Sequence, residues 1–126
     1  MTEAIDTFFA SLPVLAKRML PGPTGGVLRV DLVEPGRTEH WYLTLAPRSV
    51  TVAREGDHED AVFATNPQLF DRLVRGEAQV TAAVFRNEAS YAGSGVLILA
   101  FRRFFPDPPG TRDPREAVRE QLRYQR

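Results

Sequence analysis

Hydrophobic positions near the start of the chain recur at the spacing of a helix. Ile5, Phe8, Phe9 and Leu12 lie three or four residues apart, as on one face of an amphipathic helix. Thr2 is a suitable N-cap, and two acids follow in the first turn. Pro13 is expected to end or kink this helix, with one or two more turns to residue 19. The proline- and glycine-rich stretch at 21–26 predicts a loop.

From residue 27 the period of the pattern changes to two. Apolar residues alternate with polar ones over 27–33, 40–45 and 49–53, and the turn sequences Pro35-Gly36 and Ala46-Pro47-Arg48 separate the three runs. Alternation with one polar face is typical of antiparallel strands covered on a single side. The first half of the chain therefore predicts a helix followed by a three-stranded meander.

The second half predicts two more strands and three more helices. Residues 61–65 are expected to form a strand, and Asn66 with Pro67 then begins a helix that Gly76 ends. Residues 79–85 predict a short helix, 88–92 a fifth strand and 96–105 a very apolar helix. This order predicts an α+β fold, in which helices cover one face of a mostly antiparallel mixed sheet of about five strands.

The last residues differ in composition from the rest. Four prolines and a glycine within residues 106–114 indicate a linker, and Asp113-Pro114 predicts the start of a charged helix to about Tyr124. Val118 and Leu122 form only a narrow apolar stripe on it. We therefore expect a domain over 1–105 and a linker with a C-terminal helix over 106–126. That helix either caps the domain, contacts a partner or docks weakly.

Composition limits the classes of function. The chain has 126 residues, with 16 Lys and Arg against 16 Asp and Glu, so its net charge predicts neither nucleic acid nor an anionic membrane as a partner. The absence of cysteine excludes disulfides and thiolate chemistry. No apolar run reaches the ~20 residues of a membrane span. We expect a cytoplasmic protein that needs no cofactor.

Motifs of catalysis and metal binding are weak. His40 and His58 are the only histidines, and the carboxylates around His58 in Asp57-His58-Glu59-Asp60 fit a solvated turn better than a metal site. Ser94 lacks the flanking glycines of a nucleophile elbow, and the glycines on either side of it are not followed by the third one of a dinucleotide fingerprint. The sequence predicts no enzyme and no metal ion.

The apolar residues of the second half exceed what one covering helix needs. Eight of the ten residues in 96–105 are apolar, whereas a helix on a sheet needs an apolar stripe of about 100°. Three explanations are open: a filled core, a subunit interface such as that of a homodimer, or a dry tunnel for an apolar ligand. Periodicity alone does not distinguish them.

Several segments resemble the sterol carrier protein-2 domain family. DAVFATNPQLFDRLVRGE at residues 60–77 is similar to its strand–helix–glycine segment, AAVFRNEASYAG at 82–93 to its next helix and last strand, and WYLTL at 41–45 to its second strand. Ser94 and Asn87 replace residues common in the family without making the fold implausible. The resemblance covers about residues 2–105.

The resemblance implies a tunnel between sheet and helices that holds a fatty acyl chain, an acyl-CoA or a sterol-like lipid. The lining residues it suggests are Phe70, Leu73, Val84, Phe85, Leu97, Ala100, Phe101 and Phe104. It also implies a carrier without catalytic activity. The alternative is a protein-interaction or dimerisation module with a filled core and no ligand.

Overall fold

The computed structural model describes residues 3–19 and 25–106, and the predicted C-terminal helix lies outside them. In chain order, the elements are α1 (Glu3–Met19), β1 (Gly26–Glu34), β2 (Arg37–Ala46), β3 (Ser49–Ala53), β4 (Ala61–Thr65), α2 (Pro67–Val74), α3 (Val80–Phe85), β5 (Ser90–Gly93), α4 (Gly95–Phe101) and a 3-10 turn (Arg102–Phe104). The predicted α+β class and order of elements are confirmed.

The five strands form one open, mixed sheet in the order β3-β2-β1-β4-β5. β1 pairs with β4 in parallel, from Leu28 opposite Ala61 to Leu32 opposite Thr65. The other three pairings are antiparallel. The chain leaves the meander after β3 and crosses to the far side of β1. β4 therefore lies next to β1, and β5 forms the edge of the sheet beyond β4.

The two faces of the sheet differ in polarity as the period of two predicts. On the helix-covered face most side chains are apolar and buried, and they belong to Leu28, Val30, Leu32, Trp41, Leu43, Leu45, Val50 and Phe63. Glu39 and Thr65 are the buried polar residues on this face. The other face carries Arg29, Asp31 and His40, which form ion pairs with one another. The hydrophobic core therefore lies in a single layer between sheet and helices.

α1 differs from its prediction at Pro13. The helix continues without interruption from Glu3 to Met19 with Pro13 inside it. Proline removes one helical hydrogen bond, but Ile5, Leu12 and Ala16 are all fully buried on one face. Burial on both sides of the proline offsets the lost hydrogen bond and keeps one helix.

The ends of α2 follow the predicted capping chemistry. The side-chain oxygen Oδ1 of Asn66 accepts a hydrogen bond from the amide of Leu69 at 2.7 Å, and Pro67 is the first helical residue. After the helix, Gly76 has φ 76°. The amides of Gly76 and Glu77 donate to the carbonyls of Leu73 and Arg72, which is the pattern of a Schellman motif.

α4 is shorter than the predicted helix at 96–105. The α-helix ends at Phe101 and tightens into the 3-10 turn, after which the backbone of Phe105 is extended. Its hydrophobic residues therefore point in more directions than those of a single straight helix. None of the helices in the described part of the chain has the length and hydropathy needed to cross a bilayer.

Candidate functional site

The space between the helices and the sheet is filled by a chain of contacting aromatic rings. Phe9 of α1 stacks on Trp41 of β2 with centroids 4.0 Å apart, and on its other side lies Phe70 of α2 at 5.4 Å. Phe101 of α4 contacts Phe63 of β4 at 5.5 Å. These contacts join three helices and two strands through side chains that have no hydrogen-bonding groups except the indole.

Phe105 connects the two ends of this aromatic interior. Its ring stacks on Phe8 at 4.7 Å and meets Phe101 and Phe70 edge to face at 4.9 and 5.7 Å. Phe105 is only partly buried, whereas Phe101 and Phe70 are completely buried. It therefore lies at the margin of the interior, where α1, α2 and the 3-10 turn meet.

Most of the residues suggested as a ligand lining come together in the structure. Six are buried, two on α2, three on α4 and one in the 3-10 turn, namely Phe70, Leu73, Leu97, Ala100, Phe101 and Phe104. Val84 is half-buried against the same core. Phe85 lies apart from them, on the outside of α3, with 82% of its surface exposed.

The hydrophobic pattern places Phe8, Phe9 and Trp41 on the apolar faces of a helix and a strand, but it does not show that they belong to the candidate site. The structure adds them, with Phe105, to the aromatic interior. The adjacent pair Phe8-Phe9 was the available signal, because two neighbouring phenylalanines on a helix point to different parts of a core. Here Phe8 contacts Phe105, and Phe9 contacts Trp41.

Two grooves run along the sides of α1. One, of about 540 Å³, lies between α1 and α2 and is lined by residues that include Phe8, Ser11 and Val74. The other, of about 520 Å³, lies between α1 and β3 and reaches Phe9 and Trp41. Both are open to solvent. The first groove therefore reaches Phe8 and the second reaches Phe9, and both residues belong to the aromatic interior.

A few polar groups lie at the edge of the interior. The hydroxyl of Tyr91 donates to the carbonyl of Ser94, and burial raises the pKa of that hydroxyl above its ordinary value. Among the described residues, the buried Trp41 Nε1 has no hydrogen-bond partner. The Arg54 guanidinium lies 4.0 Å from the centroid of the Trp41 ring. Glu39, whose Oε2 is also buried without a hydrogen-bond partner among the described residues, lies 3.7 Å from Arg54.

The residues of the Asp57–Asp60 turn have structural partners. Asp60 accepts hydrogen bonds from the Val27 amide at 2.8 Å and pairs with His58 at 2.9 Å, while Glu59 pairs with Arg29 at 2.8 Å. Within residues 3–19 and 25–106, no three histidine or carboxylate side chains are grouped as metal ligands. The turn connects β3 to β4, and these contacts hold it against β1.

His40 also belongs to an ion-pair network on the uncovered face. Its Nδ1 lies 2.6 Å from Asp31 Oδ1, and Arg29 makes two hydrogen bonds to the same carboxylate at 2.9 and 3.1 Å. Hydrogen bonding to Asp31 raises the pKa of Arg29 above its ordinary value. Because Asp31 and Glu59 together occupy the guanidinium, this network is suited to holding β1 and β2 together rather than to binding an anion.

The sequence profile of the SCP-2 sterol transfer family matches residues 13–105. The chain belongs to this family. The family resemblance of the sequence is thereby confirmed, and the match ends at Phe105, the last residue of the aromatic interior. No curated protein sequence matches the chain significantly.

Solved structures of SCP-2 domains share the fold. Sterol carrier protein-2 of Aedes aegypti, in complex with the C16 fatty acid palmitate, superposes with a TM-score of 0.64 at 16% identity, covering 82% of this chain and 96% of that one. A ubiquinone synthesis protein, UbiJ, has a TM-score of 0.51 at 23% identity over 79% of each chain.

The same fold also occurs inside a larger enzyme. A sec-alkyl sulfatase has a TM-score of 0.62 at 17% identity over 80% of this chain, but that match covers only 16% of the sulfatase. An SCP-2 fold can thus accompany a catalytic domain. At these identities, the three structures are evidence for the fold alone.

Proposed function

We propose that this member of the SCP-2 family is a non-catalytic carrier of an apolar lipid, such as a fatty acyl chain, an acyl-CoA or a sterol-like molecule. The family match over residues 13–105 is the observation that carries the proposal. The palmitate complex of the mosquito protein, which has the same fold, supports an acyl chain as the first ligand to test. We further propose the cytoplasm as its compartment.

The proposed binding region is the interior enclosed by α2, α4 and the sheet. Leu97, Ala100 and Phe101 present the inner face of α4 to it, and Phe70 and Leu73 present that of α2. Hydrocarbon binds such a surface without strong polar contacts, because burying each methylene group is worth ~0.8 kcal/mol.

Aromatic side chains occupy this interior, so a guest must displace some of them. The partly buried Phe105 ring is the proposed one to move, since it lies at the margin and contacts Phe8, Phe70 and Phe101. Ten buried methylene groups contribute ~8 kcal/mol, against ~1.5–3 kcal/mol for exposing one phenylalanine side chain. A long acyl chain can therefore replace the ring, whereas a short one cannot.

The polar end of the ligand is proposed to stay near the groove between α1 and β3. Trp41 lines that groove, and its Nε1 is a hydrogen-bond donor without a partner in the described part of the chain. Arg54, which covers the indole and lies 3.7 Å from the Glu39 carboxylate, is proposed to supply a positive charge for the ligand's carboxylate.

Two measurements test the proposal. Organic extraction of the purified protein followed by mass spectrometry should find lipid, and palmitate should displace a fluorescent fatty acid from the protein. Ala100→Trp fills the proposed site from its buried position, and it should weaken probe binding at least tenfold. Leu99→Trp is the matched control, because the same helix exposes 53% of Leu99 to solvent.

The outcome separates the carrier from a protein with a solid core. In a solid core, Ala100→Trp overpacks the interior and costs ~1–3 kcal/mol of stability. A lower melting temperature with unchanged probe affinity, or a wild-type protein that binds no probe and carries no lipid, would contradict the carrier and favour the interaction module.

A further inference from the structure

The outer surface of α3 and α4 exposes three large hydrophobic side chains. Phe85 is 82% exposed, Val96 58% and Leu99 53%. Only Val14 and Val33 are comparable among the other large hydrophobic residues that the structure describes. Single exposed hydrophobic residues are common on protein surfaces, but a contiguous group often marks an interaction site.

A contact between the two helices places these side chains on one surface. Nη1 of Arg102 lies 3.5 Å from Oγ1 of Thr81. Phe85 follows Thr81 by four residues on α3, and Leu99 precedes Arg102 by three, so each shares a helix face with a residue of the contact. The exposed sides of α3 and α4 therefore adjoin.

Arginines accompany the apolar side chains. Arg86 follows Phe85 directly, and Arg102 and Arg103 follow α4; all three are exposed. In the chain as far as the structure describes it, no carboxylate forms an ion pair with any of them, although Glu88 lies exposed two residues after Arg86. We call this surface the outer face; it comprises Phe85, Arg86, Val96, Leu99, Arg102 and Arg103.

We propose that the outer face docks on an anionic lipid surface, such as a membrane containing phosphatidylglycerol. Exposed apolar side chains beside arginines suit the boundary between acyl chains and anionic headgroups. The proposal rests on the proposed carrier function, because the inner side of α4 bears Leu97 and Ala100. Docking would thus place the ligand region one helix away from the membrane.

A second copy of the chain is a less suitable occupant. A two-fold interface places the same patch of each subunit against the other. The three exposed arginines of one copy would then face those of the other, and like charges across an interface are unfavourable. An anionic surface instead complements all three charges at once.

Vesicle binding tests the proposal with the full chain. Binding is measured by flotation with vesicles of phosphatidylcholine alone or mixed with phosphatidylglycerol, and we expect binding only to the mixed vesicles. Leu99→Ser should weaken it about fivefold and Phe85→Ser about tenfold, since less apolar surface is buried. Val33→Ser is the control for Leu99. Val33 is similarly exposed, at 47%, but it lies on the opposite side of the molecule, on the face of the sheet that no helix covers.

The charges need a separate pair of variants. Arg102→Gln combined with Arg103→Gln should weaken binding to the mixed vesicles about twenty-five-fold, because each arginine near an anionic surface contributes about fivefold. Arg48→Gln, in the turn between β2 and β3, is the control and should bind like the wild type. Added salt should weaken wild-type binding more than that of the double variant.

Three results would overturn the proposal: no binding to mixed vesicles, equal losses in variants and controls, or self-association of the wild type that Phe85→Ser abolishes. Displacement of the fluorescent fatty acid without vesicles is measured in parallel and should be unchanged by Leu99→Ser and by the double arginine variant. If the probe fails to bind any form while vesicle binding follows the outer face, the carrier proposal fails and the docking surface stands.

Discussion

Phe9 and Trp41 lie face to face, with their ring planes only 8° apart and their centroids separated by 4.0 Å. The first residue belongs to α1 and the second to β2, so this contact fixes the N-terminal helix against the sheet. Arg54 covers the indole at 4.0 Å, and Phe70 lies against the phenylalanine. The stack therefore links the groove beside α1 to the interior under α2.

Removing the phenylalanine ring of this stack should destabilise the fold strongly. We expect Phe9→Ala to lower the free energy of unfolding by ~3–5 kcal/mol, because it empties a fully packed aromatic position. Phe85→Ala removes the same group from an exposed position and should change stability by less than ~0.5 kcal/mol. Urea unfolding of both variants measures the difference, and equal effects would contradict the arrangement of α1 on the sheet.

Truncating Phe105 should have opposite effects on stability and on ligand binding. Phe105→Ala removes a partly buried ring and should cost ~1–3 kcal/mol, less than the loss of a fully buried phenylalanine. The apolar space that it leaves should favour a hydrocarbon guest, so the affinity for the fatty acid probe should rise. Unfolding with and without palmitate measures both effects, since a ligand stabilises the state that binds it. A variant that is destabilised and also binds less probe would exclude Phe105 as the displaced ring.

Removing the N-cap of α2 should lower the free energy of unfolding by less than removing the Phe9 ring does. Asn66→Ala removes the side-chain oxygen that accepts the Leu69 amide, and it should cost ~1 kcal/mol of stability. Asn87→Gly is a matched control, because Asn87 has φ 61°, a conformation that glycine adopts without strain. That variant should stay within ~0.5 kcal/mol of the wild type in urea unfolding. A similar loss in both would mean that the cap contributes nothing specific.

Asp60 predicts a pH dependence at the start of β1. The hydrogen bond from the Val27 amide, and then the one from His58, hold the pKa of the Asp60 carboxyl below its ordinary value of 3.8. Because folding lowers this pKa, the carboxylate stabilises the fold above pH 3.8, and that contribution disappears as the pH falls through the lower folded value.

Nuclear magnetic resonance can measure this coupling directly. The Val27 amide shift should titrate with the pKa of Asp60, below 3.8, and exchange of this amide with solvent should accelerate as the carboxyl is protonated. The amide of Ala83, which donates to the Gln79 carbonyl at 3.0 Å in α3, is the internal control, because neither residue of that bond titrates. An Asp60→Asn protein that keeps the same Val27 titration would contradict the assignment.

Local patterns predicted most elements because their causes are local. Alternation at Leu28, Val30 and Leu32 fixes which face of a strand is buried, and Asn66-Pro67 with Gly76 fixes where α2 begins and ends. Boundaries that depend on distant contacts were less accurate. Pro13 stays inside α1 because buried residues on both sides hold the helix, and α4 stops four residues before the predicted end.

The candidate site was predicted only in part for the same reason. The lining that the family resemblance suggested included Phe85, although 82% of that side chain is exposed. Periodicity identified the apolar face of α2, but it did not distinguish the inner from the outer residues of α4. Nor could it place Phe105 against Phe8, because these residues are far apart in sequence and meet only when α1 and the 3-10 turn pack together.

The sequence by itself determined the fold class and the family. Both depend on the spacing of apolar residues and on turn and capping residues, which act on their neighbours in the chain. Only the tertiary structure decided which rings meet in the interior and that arginines accompany exposed hydrophobic residues on α3 and α4. The net charge of zero gave no indication of that surface, because a total charge does not show where the charged residues lie. The packing of two short helices places Arg102 beside Thr81.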